Sequence, residues 1–226
     1  MQRLLTRTLF CVALVAGIAP GRAQTLTPEA VADLYLKAYV NNDLKSARQL
    51  NAYLRPFLRE GVEDPIDTET LDIDPAQSAQ YYFFYLEGQS GGNEQVTAME
   101  KDIVAYYTAR ETGIRRSICA ATGTEPGESE ELLWVRYRCK MPRLTADRSA
   151  WPLLTHDLKK SAVPKITQML REVAKELRQA PVDQEVDGAL SLIRGSTQTG
   201  SVYWTPIALP AEARYPIVNE LKEQGP

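Results

Sequence analysis

Histidine is almost missing from this 226-residue chain: His156 is the only one, set against 26 basic and 29 acidic side chains. A single imidazole excludes zinc centres built from several histidines. A Ser-His-Asp or Cys-His device would have to use His156, in the stretch Leu154-Thr155-His156-Asp157, where a histidine bonded to its loop neighbours is the competing reading. Cysteine is scarce too, with three in all and no Cys-x-x-Cys spacing, which removes the usual redox motif. The Asp-x-Asp-x-Asp-Gly pattern of an EF-hand is absent, and Pro65 constrains the one acidic stretch where calcium ligands gather. No carboxylate pair is singled out by spacing for acid-base work, internal repeats and low-complexity tracts are lacking, and no cofactor is implied.

Long apolar runs are also missing, apart from one at the start. Arg3 and Arg7 precede an apolar run at residues 9–19, followed by Pro20-Gly21-Arg22-Ala23. A charged start, an apolar middle and a small-x-small end are the layout of a secretory signal peptide. The run is shorter than the roughly 20 residues a bilayer span requires. The expected leader is residues 1–23, cut between Ala23 and Gln24, which leaves a single domain at 24–226. Cys11 lies inside the run rather than at its end, which argues against lipoprotein processing. Removing the leader takes away three arginines and no acids, so the formal charge moves from −3 to −6, with 23 basic against 29 acidic residues. An exported, mildly acidic chain lacks the basic footprint of nucleic-acid or anionic-membrane binding. A periplasmic protein with no span in the mature chain is expected.

Cysteine usage fits that compartment. With Cys11 gone, Cys119 and Cys139 remain as an even pair where disulfides persist. A Gly/Pro turn lies between them, and residues 132–141 alternate: Leu133, Val135, Tyr137, Cys139 and Met141 on one face, Trp134, Arg136, Arg138 and Lys140 on the other. Cys139 points with the apolar set, so Cys119 can meet it across a hairpin as a structural bridge. The outer face, a tryptophan beside three cations, reads either as a solvated sheet face or as a binding patch centred on Trp134 and Arg136.

The remaining elements follow from caps and periodicity. Thr27-Pro28 starts a helix carrying Val31, Leu34 and Ala38; Asp43 caps a second with Ala47, Leu50, Leu54 and Phe57. Residues 60–74 hold seven acids and no Lys or Arg, and read as an irregular connection with a short strand at most. Asp74-Pro75 opens a helix containing Tyr81-Tyr82-Phe83-Phe84-Tyr85-Leu86, closed by residues 88–92. One helix is expected at about 94–112 with Gly113 as its stop, another at 164–179, strands at 185–194 and 201–209, and a short helix near 215–223. The order predicts an α+β fold, with N-terminal helices packed on a curved antiparallel sheet that includes a disulfide-linked hairpin.

This element order, with the opening Val31-Ala32-Asp33-Leu34-Tyr35-Leu36-Lys37-Ala38-Tyr39-Val40-Asn41-Asn42-Asp43, resembles the NTF2-like superfamily. The resemblance implies helices folded against a curved sheet. It does not fix function, because that superfamily spans enzymes, ligand carriers and interaction modules.

Two functional expectations result. The first is a non-enzymatic exported module that binds another protein, as an inhibitor or immunity protein against an envelope-targeted toxin does. Its contacts would be Glu63, Asp64, Asp67, Glu69 and Asp72, with Trp134 and Arg136 as a second patch. The same acids read alternatively as calcium ligands or as a solvated loop. The second expectation is an NTF2-like small-ligand binder or enzyme with an aromatic-lined pocket of Tyr81, Tyr85, Asp102 and Tyr106. Five consecutive aromatics cannot share one core stripe, so some must line a cavity, a seam or an exposed contact, although core packing is expected to take most of them.

Overall fold

The structure, a computed structural model, describes residues 26–59, 61, 63–150, 158–197 and 200–223. The expected leader, Glu60, Trp151 and His156 lie outside the described residues. The fold is α+β, with eight α-helices and one four-stranded antiparallel sheet among those residues.

Capping chemistry sets the N-terminal hairpin. Thr27 Oγ1 accepts the Ala30 amide and Pro28 opens helix α1 (Pro28–Asn41); Asn42, at φ 54°, turns the chain in the left-handed region. Asp43 then accepts the Lys45 and Ser46 amides and starts α2 (Leu44–Leu54). The buried stripe of α1 is Val31, Ala32, Tyr35, Leu36, Ala38 and Val40, with Leu34 only half-buried, because the helix packs against α2 on one side and against the sheet on the other.

Among its described residues the acidic connection contains no strand. It forms a single helical turn, α3 (Thr68–Leu71), capped by Asp67. Its backbone is tied down by side chains from elsewhere: Asn42 Nδ2 donates to Leu71 O at 2.6 Å and Arg115 Nη2 to Ile73 O at 2.6 Å. Helix α4 (Pro75–Gln89), capped by Asp74, ends where Gly91 and Gly92 adopt positive φ.

The helix expected at 94–112 is two: α5 (Glu94–Ala98) and α6 (Glu100–Arg115), separated at Met99, whose amide bonds back to Val96 O in a tightened turn. Gly113 does not stop α6. A Cβ there would lie 3.1 Å from Leu177 Cδ2 and 3.3 Å from Leu177 O, so the glycine serves a close helix crossing instead.

Strands β1 (Ile118–Pro126) and β2 (Leu132–Pro142) form the hairpin, with Cys119 directly opposite Cys139 and disulfide-bonded to it. After β2 the chain runs through α7 (Val163–Gln179) and returns as β3 (Val182–Ser196), longer at both ends than expected, followed by the short β4 (Val202–Pro206). The strands pair in sequence order. The last helix, α8 (Pro210–Glu223), starts five residues before its expected position.

On the inner face Val135, Tyr137, Cys139, Met141, Leu190 and Leu192 are buried under α1, α7 and α8. Tyr137 faces Gly188 across the ladder and Tyr203 faces Gly195, each ring lying over the position where a glycine Cβ would stand. Helix α6 packs on α7 and also reaches α1 and β2, and α4 packs on α6 from outside. No helix among the described residues is long and apolar enough to cross a membrane. The disulfide fits an exported chain.

Candidate functional site

The outermost helix carries the aromatic run. Helix α4 buries Ala79 and Phe83 against α6, so its one-turn neighbours Tyr81, Tyr82, Phe84 and Tyr85 fan outward. Core packing therefore takes one of the five consecutive aromatics rather than most of them, because α4 meets the molecule along one narrow stripe. Tyr81 and Tyr85 are 63% and 67% exposed.

Facing them, α6 presents Tyr106, Tyr107 and Arg110, the same i, i+1, i+4 spacing that Tyr81, Tyr82 and Tyr85 have on α4. The two sets, with Leu86 and Leu221 of α8, enclose an open cleft of about 550 Å³. Tyr82 stacks on Tyr107 with centroids 5.0 Å apart, and Tyr106 meets Tyr107 edge-on at 5.0 Å. The Arg110 guanidinium lies 5.7 and 5.8 Å from the centroids of Tyr82 and Tyr107. Burial pushes the Tyr106 hydroxyl well above its ordinary pKa and raises that of Tyr107, which keeps both further from ionisation than a free tyrosine.

Three of the four residues expected for a ligand pocket, Tyr81, Tyr85 and Tyr106, thus meet in one cleft. Asp102 does not. One turn before Tyr106, its carboxylate takes a two-point contact from Arg171 of α7 at 2.7 and 3.1 Å, which turns it away from the cleft. Sequence reasoning missed Arg110, Leu221 and the role of Tyr107, while Tyr82 belongs to the aromatic run it had marked for a cavity, a seam or an exposed contact. The signal available was the repeated Tyr-Tyr pair with its residue four further on.

A second groove, of about 570 Å³, runs between α1 and α2 along Leu34, Ala52, Tyr53 and Pro56. Its acid, Asp33, already accepts the Ala121 amide at 2.8 Å, and its walls present no buried cation.

The acidic residues serve local structure. Asp64 pairs with Arg55, Asp67 caps α3 through the Glu69 amide, and Asp72 sits at the C-terminal end of that turn. Glu63 and Glu69 are exposed. Among the described residues no three of the acids, cysteines or histidines are grouped to hold a metal ion. On the outer sheet face Trp134 is exposed and Arg136 is bonded to Glu125 at 2.7 Å; Arg138 forks onto Asp187, and Lys140 approaches Glu185. Each cation of that face has a carboxylate, which makes it a neutralised ladder.

Gly88-Gln89-Ser90-Gly91-Gly92 has the Gly-x-Ser-x-Gly spacing of a nucleophile elbow. Such an elbow joins a strand to a helix. Here it spans the C-terminal end of α4, and Ser90 Oγ donates to Glu87 O at 2.7 Å while accepting the Asn93 amide, which makes it a helix-end cap. Comparison of the chain with protein-family models, with curated proteins and with solved structures finds no match, so the site is read from its own geometry.

Proposed function

We propose that this chain is an exported, periplasmic, non-enzymatic binding protein that takes a small ligand with an aromatic or apolar body into the cleft between α4, α6 and α8. The observation that carries the reading is the convergence of five tyrosines and one buried arginine on a single open cleft. Its volume lies in the range of about 300–1,000 Å³ usual for small-molecule sites, and its walls are mostly rings and leucines with few polar groups. Binding suits this lining better than proton transfer, since burial keeps the inner hydroxyls further from ionisation and Asp102 is held by Arg171. The NTF2-like likeness belongs to the same proposal, with one departure: the cleft lies among helices, whereas the inner sheet face is covered by packed side chains.

The test is a titration of the mature chain with a neutral aromatic probe, 3-phenylpropanamide, followed by backbone amide NMR shifts. Saturable shifts confined to residues 81–86 and 106–110, weakened by Tyr81→Ala/Tyr85→Ala, are the expected result. Absence of saturation up to about millimolar, where binding free energy is only about −4 kcal/mol, for this probe and for its acid 3-phenylpropanoate alike, ends the reading.

A second reading is favoured by Phe84, which is exposed beside the cleft and lines none of it. In that reading the aromatic face of α4 docks a protein, such as an envelope-targeted toxin held by an inhibitor or immunity protein, with Glu63, Asp64, Asp67, Glu69, Asp72, Trp134 and Arg136 as outlying contacts. Phe84→Ala separates the two readings: it leaves probe affinity unchanged and weakens a protein complex.

A further inference from the structure

We infer that the ligand of the tyrosine cleft is a monocarboxylic acid, its carboxylate held by Arg110 and its apolar body lying against the tyrosines. The inference rests on the cleft being the binding site and goes beyond it in naming the charge and head group.

Arg110 is 9% exposed. Among the described residues its guanidinium has no carboxylate and no hydrogen-bond acceptor; its near neighbours are the rings of Tyr82 and Tyr107. The other arginines withdrawn from water are treated differently. Arg115 donates to Ile73 O, Arg148 to Leu221 O, Arg214 to Glu111, and Arg116 to the carbonyls of Leu177, Arg178 and Ala180. An arginine largely withdrawn from water without an oxygen partner is costly, and ring faces offset only part of that cost; the Arg110 fork still opens on the water of the cleft, where a ligand can reach it. The nearby acids are engaged elsewhere: Glu111 with Arg214 on α8 and Asp102 with Arg171 on α7. What is left in the cleft is an unused planar fork of N–H donors on a wall made of aromatic rings.

That fork matches one carboxylate in two-point geometry. Arg110 is the one cation among the described residues that line the cleft, so a phosphate dianion would bring a second charge without a second cation from them to meet it, into a chain that is already net acidic. The surrounding rings and the leucines at 86 and 221 favour an aromatic or aliphatic body over a sugar or a polar peptide.

The experiment uses the mature chain and three probes that share a phenyl group: 3-phenylpropanoate, 3-phenylpropanamide and phenyl phosphate. Each is titrated while the amides of residues 81–86 and 106–110 are followed. The acid is expected to bind about tenfold or more tightly than the amide, since the amide leaves the charged fork unmet. Arg110→Gln brings the acid and amide affinities together, and Arg110→Lys keeps part of the difference. Equal affinity for acid and amide on the unmodified protein overturns the carboxylate assignment and leaves the cleft standing as the site. Tighter binding of phenyl phosphate than of the acid overturns the monoanion in favour of a phosphate. No saturable shift from any probe overturns both the inference and the function beneath it. The acid-to-amide ratio on the unmodified protein decides the matter even where Arg110→Gln fails to fold.

Discussion

Asn51 holds both backbone groups of Ile66: its Nδ2 donates to the Ile66 carbonyl at 2.8 Å, and its Oδ1 accepts the Ile66 amide at 3.0 Å. Both residues are buried, so one side chain on α2 plays the part of a strand neighbour for a segment that has none. This bond pair anchors the acidic connection and lets Ile66 enter the core while the carboxylates around it stay in water. Asn51→Ala leaves one buried donor and one buried acceptor unmatched, and unfolding in urea is expected to show a loss of about 2–4 kcal/mol. Asn51→Asp keeps the shape and loses the donor. It is expected to fall at least as far at neutral pH, because a charge then faces the Ile66 carbonyl. A change under about 0.5 kcal/mol for Asn51→Ala would show that the segment is not anchored here.

The pairing of Tyr137 with Gly188 yields a second prediction. A Cβ on Gly188 would stand 2.3 Å from Tyr137 Cζ, and the ring cannot swing aside freely, being buried with its hydroxyl donating to Ala213 O at 3.3 Å. Gly188→Ala is therefore expected to cost about 1–3 kcal/mol despite alanine's smaller entropy loss in a strand. Burial pushes the Tyr137 hydroxyl up to about 12. In the variant, alkaline titration of tyrosine absorbance should show one group returning toward the ordinary value near 10. An unchanged titration with unchanged stability would mean the ring does not lie over the glycine.

What the sequence made legible was whatever depends on neighbours along the chain. Thr27-Pro28, Asp43 and Asp74-Pro75 start their helices as caps because the groups they satisfy lie within three residues. The alternation through Val135, Tyr137 and Cys139 placed the disulfide on the inner sheet face for the same reason. Gly113 was misread because its purpose is set 64 positions away, by the Leu177 backbone on α7. The aromatic run was only half legible: helical spacing requires some rings to leave the core, but how narrow a stripe α4 buries depends on α6. Arg110 carried only one local mark, its place four residues after Tyr106 in the repeated spacing. Its interest comes from Tyr82 on another helix and from the acids that chose other partners, and neither is written next to it. The acidic residues sent a strong local signal that the structure largely spends on caps, on the Arg55 pair and on solvent.

The Cys119–Cys139 bridge closes a loop with a sequence separation of 20, joining residues directly opposite in the hairpin. Cross-linking a loop of this length is worth about 3 kcal/mol in the chain-entropy account. Both cysteines are buried in the apolar set, so replacing the pair by alanine loses packing as well. We expect Cys119→Ala/Cys139→Ala to lower stability by about 3 kcal/mol or more, and the native chain to show no labelled thiol at either position until reducing agent is added in denaturant. Labelling of either cysteine in the folded, oxidised protein would contradict the bridge.

Glu176 sits on α7 and accepts three hydrogen bonds from the connection after β2: from the Thr145 amide at 2.7 Å, the Thr145 hydroxyl at 2.5 Å and the Ala146 amide at 2.9 Å. Partial burial alone would raise its pKa. The three bonds and the nearby Arg148 charge outweigh that and hold it below the ordinary glutamate value. A carboxyl whose folded pKa is lowered contributes stability that is fully present above its unfolded value, about 4.3, and is lost as pH falls through the folded value. Glu176→Gln removes the charge but keeps an acceptor, so the variant should be less stable than the parent at pH 7, by about 1 kcal/mol. That gap should narrow as both are taken to pH 3, because only the parent has a proton to gain there. Urea midpoints of the two chains at pH 7 and pH 3 measure it directly. A gap of the same size at both values would mean that the charge on Glu176 does not hold the connection against α7 and that packing alone does so.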